Sequence, residues 1–189
     1  MPVLPGLCDD EANLESVVRW TAEHGGQFVL AGGLTLADQQ RETFLRVLGE
    51  QFSDLTEVYA RLYPPGSYAA LGDGELRIRR RVRELCAQYG LSDRMPRPIV
   101  QAERRASNKR AAEWLGNRSY TAELVGESPH RIWAYRKAAW AVDEMTEDLD
   151  RVYQTLGSEG LRTIPGIEPG LADEVGRFLT GRTLGPAKA

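Results

Sequence analysis

The segment IPGIEPGLADEV, from Ile164 to Val175, contains the residue types that hold a phosphate group. Two glycines surround a turn, and a helical pattern begins directly after it. The first N–H groups of a helix have no partner within the helix and attract anions, and glycine lets an anion approach the backbone closely. Such contacts hold the nucleic-acid backbone and carry no sequence information. The predicted DNA contacts are the backbone at Gly166, Ile167 and Gly170, with Arg162 or Arg177 as the nearest cations.

Glu168 lies inside this predicted turn and opposes its chemistry. A carboxylate within several ångströms of a phosphate is repulsive by about 1 kcal/mol or more, depending on the local dielectric. Two alternatives follow. In the first, the Glu168 side chain points into solvent and the turn still binds a phosphate. In the second, the turn has lost its affinity for DNA and serves to pack helices or to contact a partner protein.

A second candidate polyanion site is the arginine-rich stretch from Arg77 to Arg118, which has twelve basic residues and four acidic ones. This local excess of eight positive charges occurs in a chain whose formal net charge is -3. The stretch predicts either a secondary basic patch for a polyanion or a solvated helix face with internal ion pairs. The residues assigned to the patch are Arg79, Arg80, Arg83, Arg104, Arg105 and Lys109.

Few residues are suited to catalysis or metal binding. Cys8 and Cys86 are too few for a cysteine metal site, and the two histidines, His24 and His130, lack ligand spacing. We therefore predict no catalytic residue, no metal site and no cofactor in this chain. Four aromatic residues at helical spacing either stack on bases or belong to a core. They are Trp114, Trp133, Tyr135 and Trp140.

The first hundred residues are predicted to form a short β-α-β unit followed by helices. Apolar runs predict strands at Val3–Leu4 and 28–31, and Leu14 and Val18 share one face of a helix that Asp9 or Asp10 can cap. Helical patterns follow from Leu36 onward. Two prolines in the segment 91–100 predict a linker.

Four helical stretches follow the predicted linker, starting near Glu103. Their apolar residues recur at helical spacing and predict one shared core. Its predicted members are Ile132, Ala138, Val142, Leu149, Val152, Leu156, Leu161, Ile164, Leu171, Val175 and Phe178.

The bulk composition limits the classes of function. A chain of 189 residues with 42% hydrophobic and 27% charged residues is typical of a globular protein with one medium domain or two small ones. The acidic net charge excludes a generally basic nucleic-acid coat, so any polyanion site must be local. Neither a signal peptide nor an apolar run of membrane length is present in the sequence, and we expect a cytoplasmic protein.

Residues 103–182 resemble the N-terminal helix-hairpin-helix domain of family X DNA polymerases. The resemblance rests on the pattern R-x-x-A-Y-R-K-A-A from Arg131 to Ala139 and on L-x-x-I-P-G-I from Leu161 to Ile167. It implies sequence-independent DNA binding, and it adds Arg136 and Lys137 to the predicted DNA contacts. Family members that cleave abasic sites use a lysine nucleophile, whose matching position here is Glu174. A carboxylate cannot form the imine, so lyase activity is not expected.

Segments of the first half are similar to the C-terminal part of radical S-adenosylmethionine proteins of the spore photoproduct lyase-like group. The similarity rests on GLCDDEANLESVVRWTAEHGGQFVLAGGLTL and RVRELCAQYGLSDRMPRP. The three-cysteine run that binds the family's iron–sulfur cluster is absent, so radical chemistry by this chain alone is not expected.

Together the two resemblances predict a mainly α fold. Residues 1–100 are a partial radical-SAM-like segment, with a small N-terminal β-α-β remnant of a partial barrel and then helices, and residues 101–189 are a helix-hairpin-helix domain. The predicted function is a non-sequence-specific DNA-binding module, the accessory C-terminal portion of a radical SAM protein of DNA-repair type. Its expected partners are DNA and a radical SAM catalytic domain encoded upstream, without a membrane. The alternative is a helical interaction or scaffold module whose hairpin does not bind DNA.

Overall fold

The chain divides into two compact units, Met1–Pro96 and Arg97–Ala189. The computed structural model describes residues 2–100, 103 and 105–181. The fold is mainly helical, as the sequence predicts, with a two-stranded parallel sheet near the start of the chain. None of the helices in the described ranges has the length and apolar character that a membrane span needs.

A β-α-β unit opens the first compact unit. Strand β1 (Pro2–Val3) pairs in parallel with β2 (Gly32–Gly33), and helix α1 (Glu11–Glu23) connects them. Asp10 caps α1, since its Oδ1 accepts the N–H of Asn13 at 3.0 Å. This cap is one of the two that the sequence predicts.

The second strand lies later than the predicted 28–31, where Phe28 forms only an isolated parallel bridge with Ser92. The paired residues are instead two glycines, and a Cβ on Gly33 would lie 2.7 Å from Oε2 of Glu75. A side chain at position 33 would therefore displace the Glu75 carboxylate. A search for apolar β-formers therefore misses the strand.

The rest of the first unit is helical, with α2 (Asp38–Gln51), a 3₁₀ turn (Ser53–Leu55), α3 (Thr56–Leu62) and α4 (Gly74–Gln88). Two apolar clusters hold it together. Val18, Val82 and Leu85 belong to the cluster between α1 and α4, and Leu48 and Tyr59 to the cluster around α2 and α3. Both clusters are built from residues of this unit alone.

The described part of the second unit contains four helices: α5 (Ala106–Val125), α6 (Pro129–Glu144), α7 (Leu149–Arg162) and α8 (Pro169–Leu179). Gly126 ends α5 in the left-handed conformation, with φ 78°. Ser128 begins α6, because its hydroxyl accepts the N–H of Arg131 at 3.3 Å and Pro129 follows at the first helical position. This short connection packs α5 against α6.

Most of the predicted core of the second unit is confirmed. Ile132 and Phe178 are partly buried against it. The buried members are Ala138, Val142, Leu149, Leu161, Ile164, Leu171 and Val175. Val152 is only half-buried, and the prediction is wrong for Leu156, which is 59% exposed. Gly157 has φ 61° and ψ -149°, so the helical register breaks directly after Leu156 and the apolar face does not continue through it.

Candidate nucleic-acid interface

The hairpin between α7 and α8 is a tight turn closed by two buried isoleucines. Ile164 and Ile167 point into the core, and the Ile167 N–H donates to the Ile164 carbonyl at 3.1 Å. Gly166 lies between them with φ 82°, a conformation that favours glycine. The residues around these anchors, Pro165, Gly166 and Glu168, are exposed. The core therefore fixes the shape of the hairpin while its outer backbone faces solvent.

Gly166 also packs closely on helix α6. A Cβ at this position would lie 3.3 Å from the Cβ of Lys137 and 3.7 Å from the backbone nitrogen of Ala138. Both the positive φ and this packing therefore disfavour a side chain at position 166. The hairpin is held against the middle of α6, at Lys137.

The start of α8 presents its backbone on the open side of the hairpin. Glu168 is the N-cap residue in an extended conformation, its side chain makes no capping hydrogen bond, and Pro169 occupies the first helical position. The first helical bond runs from Ala172 N–H to the Glu168 carbonyl at 2.9 Å. The N–H groups of Gly170 and Leu171 precede that bond. A Cβ on Gly170 would have no described atom within 4 Å, so a ligand has room to approach.

A surface cavity of about 360 Å³ lies beside the start of α8. Its walls come from the first turns of two helices, α6 and α8. The polar groups that line it include Ser128, His130 and Arg131 of α6 and Glu168 and Glu174 on the α8 side. The exposed Glu168 carboxylate therefore shares this cavity with the Arg131 guanidinium.

Glu174 is held at the wall of this cavity by three side chains. The Tyr135 hydroxyl donates to its Oε2 at 2.9 Å, Arg131 Nη2 lies 3.2 Å from its Oε1, and Arg118 Nη2 lies 3.4 Å from its Oε2. Burial raises the pKa of the Tyr135 phenol, so the hydroxyl keeps its proton and stays a donor. Arg131 also pairs with Glu127 at 2.6 Å. The charges of the two arginines are thus balanced by two carboxylates.

The family comparison agrees with this geometry. Residues 106–184 match the model of the helix-hairpin-helix domain family, a span that includes α5 to α8 and the hairpin. The second unit contains a helix-hairpin-helix domain. Comparisons of the chain with curated proteins and with solved structures found no match.

Within this domain the two predicted cations nearest the hairpin lie on the Asp173 side of α8. Arg162 is paired with Glu159 and lies 3.9 Å from an Asp173 carboxylate oxygen. Arg177 Nε donates to the Asp173 backbone carbonyl at 3.2 Å. Carboxylates therefore already offset the charge of Arg162, and Arg177 lies in the last turn of α8, at the end away from the hairpin.

The two predicted contacts on α6 differ from each other. Arg136 pairs with Glu123 at 3.4 Å, and its guanidinium lies 5.3 Å from the ring centroid of Trp133. Lys137 is exposed, and the described part of the chain offers no carboxylate within ion-pair distance of its amine. Lys137 is therefore the cation beside Gly166 that is available to a phosphate.

The predicted secondary basic patch draws its residues from both units. Arg79, Arg80 and Arg83 belong to α4 of the first unit, whereas Arg105 and Lys109 lie at the start of α5. Lys109 pairs with Glu103 at 3.1 Å, and Arg105 donates to the Met145 carbonyl at 3.2 Å. These contacts are those expected of internal pairing. Arg104 lies outside the described residues.

The aromatic residues divide between the two roles that the sequence leaves open. Tyr135 is buried, and Trp114 packs against the core, stacked on Phe178 with ring centroids 4.9 Å apart. Trp133 and Trp140 are 46% and 56% exposed. Only the first pair therefore belongs to the core.

The sequence did not predict the hydrogen-bond network around Glu174, which forms a wall of the cavity. One signal for it was present, because Arg131 and Tyr135 are four residues apart and share a face of α6. Nothing in the spacing of Arg118 and Glu174 indicates that they meet, since 56 residues separate them.

Proposed function

We propose that the helix-hairpin-helix domain binds the DNA backbone through the hairpin from Ile164 to Gly170, weakly and without sequence preference. Domains of this family commonly bind nucleic acid. The observation that carries the proposal is the exposed start of α8 next to the Gly166 turn. There the N–H groups of Gly170 and Leu171 precede the first helical bond, and Lys137 supplies a cation at the packed face of the turn.

The charges near the hairpin limit the expected affinity. Residues 103–182 contain twelve basic and thirteen acidic residues, so the domain as a whole does not attract a polyanion. Glu168 adds a carboxylate at the binding surface. Affinity for duplex DNA should therefore be micromolar or weaker. It should fall with salt by a slope of about -0.9 per phosphate contacted, and it should hardly depend on sequence.

Glu168→Gln tests the charge within the hairpin while keeping its shape. Glu168 has φ -75° and its side chain caps nothing, so the amide should be tolerated. Removal of a repulsion of about 1 kcal/mol should tighten duplex binding roughly fivefold. Fluorescence anisotropy with a labelled duplex at two salt concentrations measures the change. Unchanged affinity would place the phosphate elsewhere.

Gly170→Glu provides the opposite test, with Gly116→Glu as its matched control. Both glycines are helical, and a Cβ on either would have no described atom within 4 Å, so each variant adds one carboxylate without a clash. We expect Gly170→Glu to weaken duplex binding at least fivefold, by about 1 kcal/mol or more, and Gly116→Glu to change it less than twofold. Equal effects of the two variants would contradict hairpin binding. Gly166→Glu is less informative, because its positive φ would also strain the fold.

Two competing hypotheses predict different results in the same titrations. If the arginine cluster binds the polyanion, replacing Arg79, Arg80 and Arg83 by glutamine should abolish binding and the hairpin variants should have little effect. If the domain is a scaffold that contacts a protein, the unmodified chain should not bind DNA near physiological salt.

The second part of the proposal concerns the first unit, which we propose to be the accessory portion of a radical SAM protein of DNA-repair type. Its support is the sequence resemblance within residues 1–100. The residues present do not fit an iron–sulfur cluster, because the chain has two cysteines and Cys86 is buried. No radical step is therefore assigned to this chain. The test is a three-cysteine motif in the coding region upstream of Met1, followed by copurification of its product with this chain.

A further inference from the structure

A further surface cavity, of about 320 Å³, lies within the first unit at the carboxyl ends of its two strands. Pro5 follows β1 and Leu34 follows β2, and the starts of α1 and α4 and the end of α3 complete its wall. In open α/β sheets, ligands bind outside the carboxyl ends of the strands. The volume falls within the range of about 300–1,000 Å³ that is typical of small-molecule sites. We call this cavity between Pro5, Leu34 and α4 the strand-end cavity.

Most of the wall of the strand-end cavity is apolar. Val3 and Leu14 are buried, and Leu34 and Ile78 are partly buried. Leu71, which also lines the cavity, is 55% exposed. These side chains can pack against an apolar group but cannot form a hydrogen bond with it. The wall therefore suits a ligand with an apolar body.

The Glu75 carboxylate lines this cavity without a partner in the described part of the chain. Glu75 is half-buried in the first turn of α4, and no described hydrogen bond or ion pair reaches its side chain. Its Oε2 lies beside Gly33, 2.7 Å from where a Cβ would be. The neighbouring Tyr63 hydroxyl donates instead to the Leu34 carbonyl at 2.9 Å. A partly desolvated carboxylate without a donor is stabilised by a cation that binds beside it.

The other charges leave the strand-end cavity negative. The lining residues and their ion-pair partners include two guanidinium groups and five carboxylates, an excess of three negative charges. Arg81 pairs with two of these carboxylates, and Arg77 pairs with one at 3.0 Å. The five carboxylates are those of Asp9, Glu11, Asp73, Glu75 and Glu84. This excess disfavours an anion, and an apolar wall offers a metal ion no oxygen ligands.

We propose that the strand-end cavity binds a small organic amine. The ammonium group donates to the Glu75 carboxylate, and the apolar body of the ligand packs against Leu14, Leu34 and Ile78. This site is separate from the surface proposed for DNA, because all of its lining residues belong to the first unit. The first unit thereby gains a small-molecule ligand of its own.

The test uses the full chain and three probes of similar shape that differ in one polar group. Phenethylamine carries an ammonium group, phenethyl alcohol a hydroxyl and hydrocinnamate a carboxylate. We expect the amine to bind roughly tenfold more tightly than either of the other two, because only its charge complements Glu75. In NMR spectra of the isotope-labelled chain, the amine should shift the N–H signals of Gly33 and Gly74, which line the cavity.

Two variants separate the charge from the apolar wall. Glu75→Gln keeps the size of the side chain, and it should weaken phenethylamine binding roughly tenfold and change phenethyl alcohol binding less than twofold. Glu42→Gln is the matched control, because Glu42 is exposed on α2 and does not line the cavity. Leu71→Ser removes apolar contact at an exposed position and should weaken both probes about threefold.

Each contrary outcome has a definite meaning. Equal binding of the three probes, or no binding of phenethylamine at millimolar concentrations, would overturn the amine site. If Glu75→Gln lowered the melting temperature but left the affinity for the amine unchanged, Glu75 would serve only the start of α4, and the site would again be overturned. Glu75→Gln should leave duplex binding unchanged, so failure of the amine site and failure of the hairpin proposal can be told apart.

Discussion

Glu174 has a structural role in the second unit. Its carboxylate accepts hydrogen bonds from Tyr135, Arg131 and Arg118. The side chain is 17% exposed, so the interactions are partly screened by solvent. The residue joins α8 to both α5 and α6 and helps to fix the wall of the cavity.

We predict that Glu174→Gln lowers stability and raises affinity for duplex DNA. The amide keeps the shape but leaves Arg118 and Arg131 without this counter-charge, which should cost about 1–3 kcal/mol in the free energy of unfolding. The same two arginines then attract a phosphate in the cavity more strongly. Urea denaturation and a duplex titration measure the two effects.

Glu144→Gln is the control for this prediction. Glu144 is an exposed residue near the end of α6, and the described part of the chain gives its carboxylate no ion pair. Its replacement should change stability by less than about 0.5 kcal/mol. If Glu174→Gln changed the free energy of unfolding as little as this control, the network around Glu174 would not stabilise the domain.

The kink in α7 is the clearest feature at the scale of elements. Gly157 has φ 61° and ψ -149°, a region of backbone conformation that is essentially restricted to glycine. The kink lets the second half of α7 bury Gly160 and Leu161 directly before the hairpin. The direction from which the chain enters the hairpin therefore depends on this glycine.

We predict that Gly157→Ala destabilises the domain by about 1–3 kcal/mol, because alanine is strained in that conformation. Gly116→Ala is the matched comparison, since Gly116 is helical and exposed and a Cβ there meets open space. It should stabilise by about 0.4–1 kcal/mol through helix propensity. Urea denaturation of the two variants measures the difference. Similar values for both would mean that Gly157 adopts helical geometry in solution.

Sequence patterns predicted elements well where apolar spacing decided them and failed where a glycine did. The buried positions Ala138, Val142 and Val175 followed from helical periodicity alone. Leu156 fits the same periodicity but is exposed, because the pattern does not show that Gly157 interrupts the helix. Strand β2 escaped detection for a related reason, since its two glycines pair while Glu75 packs against one of them.

The candidate site was only partly visible in the sequence. The turn residues Ile164, Gly166 and Ile167 could be identified because their spacing is typical of a hairpin. The wall of the cavity could not be predicted, since Arg118 and Glu174 meet only after three helices have packed. The exposure of Trp133 and Trp140 was equally hidden, because helical spacing does not say which face of α6 the core occupies.

At the scale of the whole molecule, each compact unit has its own core. The clusters in residues 1–96 and the cluster in residues 97–189 share no member. Both cysteines belong to the first unit, whereas three of the four tryptophans belong to the second. Thiol labelling and tryptophan fluorescence therefore report mainly on different units.

We predict that Cys86 resists alkylation in the native chain and becomes reactive only when the first unit opens. Burial raises the pKa of its thiol to about 11, so the reactive thiolate is scarce at pH 8 and forms as the pH rises toward that value. The pKa of this thiol is higher in the folded chain than in the unfolded chain. Its contribution to the free energy of unfolding is therefore complete below pH 9 and is lost between about pH 9 and 11.

Labelling of Cys86 and tryptophan fluorescence should then give different urea midpoints, as expected when each unit unfolds with its own core. Mass spectrometry distinguishes labelled Cys86 from the half-buried Cys8, which serves as the internal reference. Rapid native labelling of Cys86 at pH 8 would contradict its burial. A single common midpoint would show that the two units unfold together.

Asn108, near the start of α5, is fully buried and completely satisfied. Its amide nitrogen donates to the carbonyls of Glu147 at 2.8 Å and Met145 at 3.4 Å, and its oxygen accepts the N–H of Leu149 at 2.8 Å. Aspartate would turn a carboxylate toward those carbonyl oxygens, and leucine would remove the Asn108 partner of the Glu147 carbonyl and of the Leu149 N–H, whereas the Met145 carbonyl would keep its bond from Arg105. One asparagine thus specifies the connection between α6 and α7 from a distance of about forty residues. These contacts need a donor and an acceptor on one short side chain, so position 108 admits an amide and excludes its acidic and apolar counterparts.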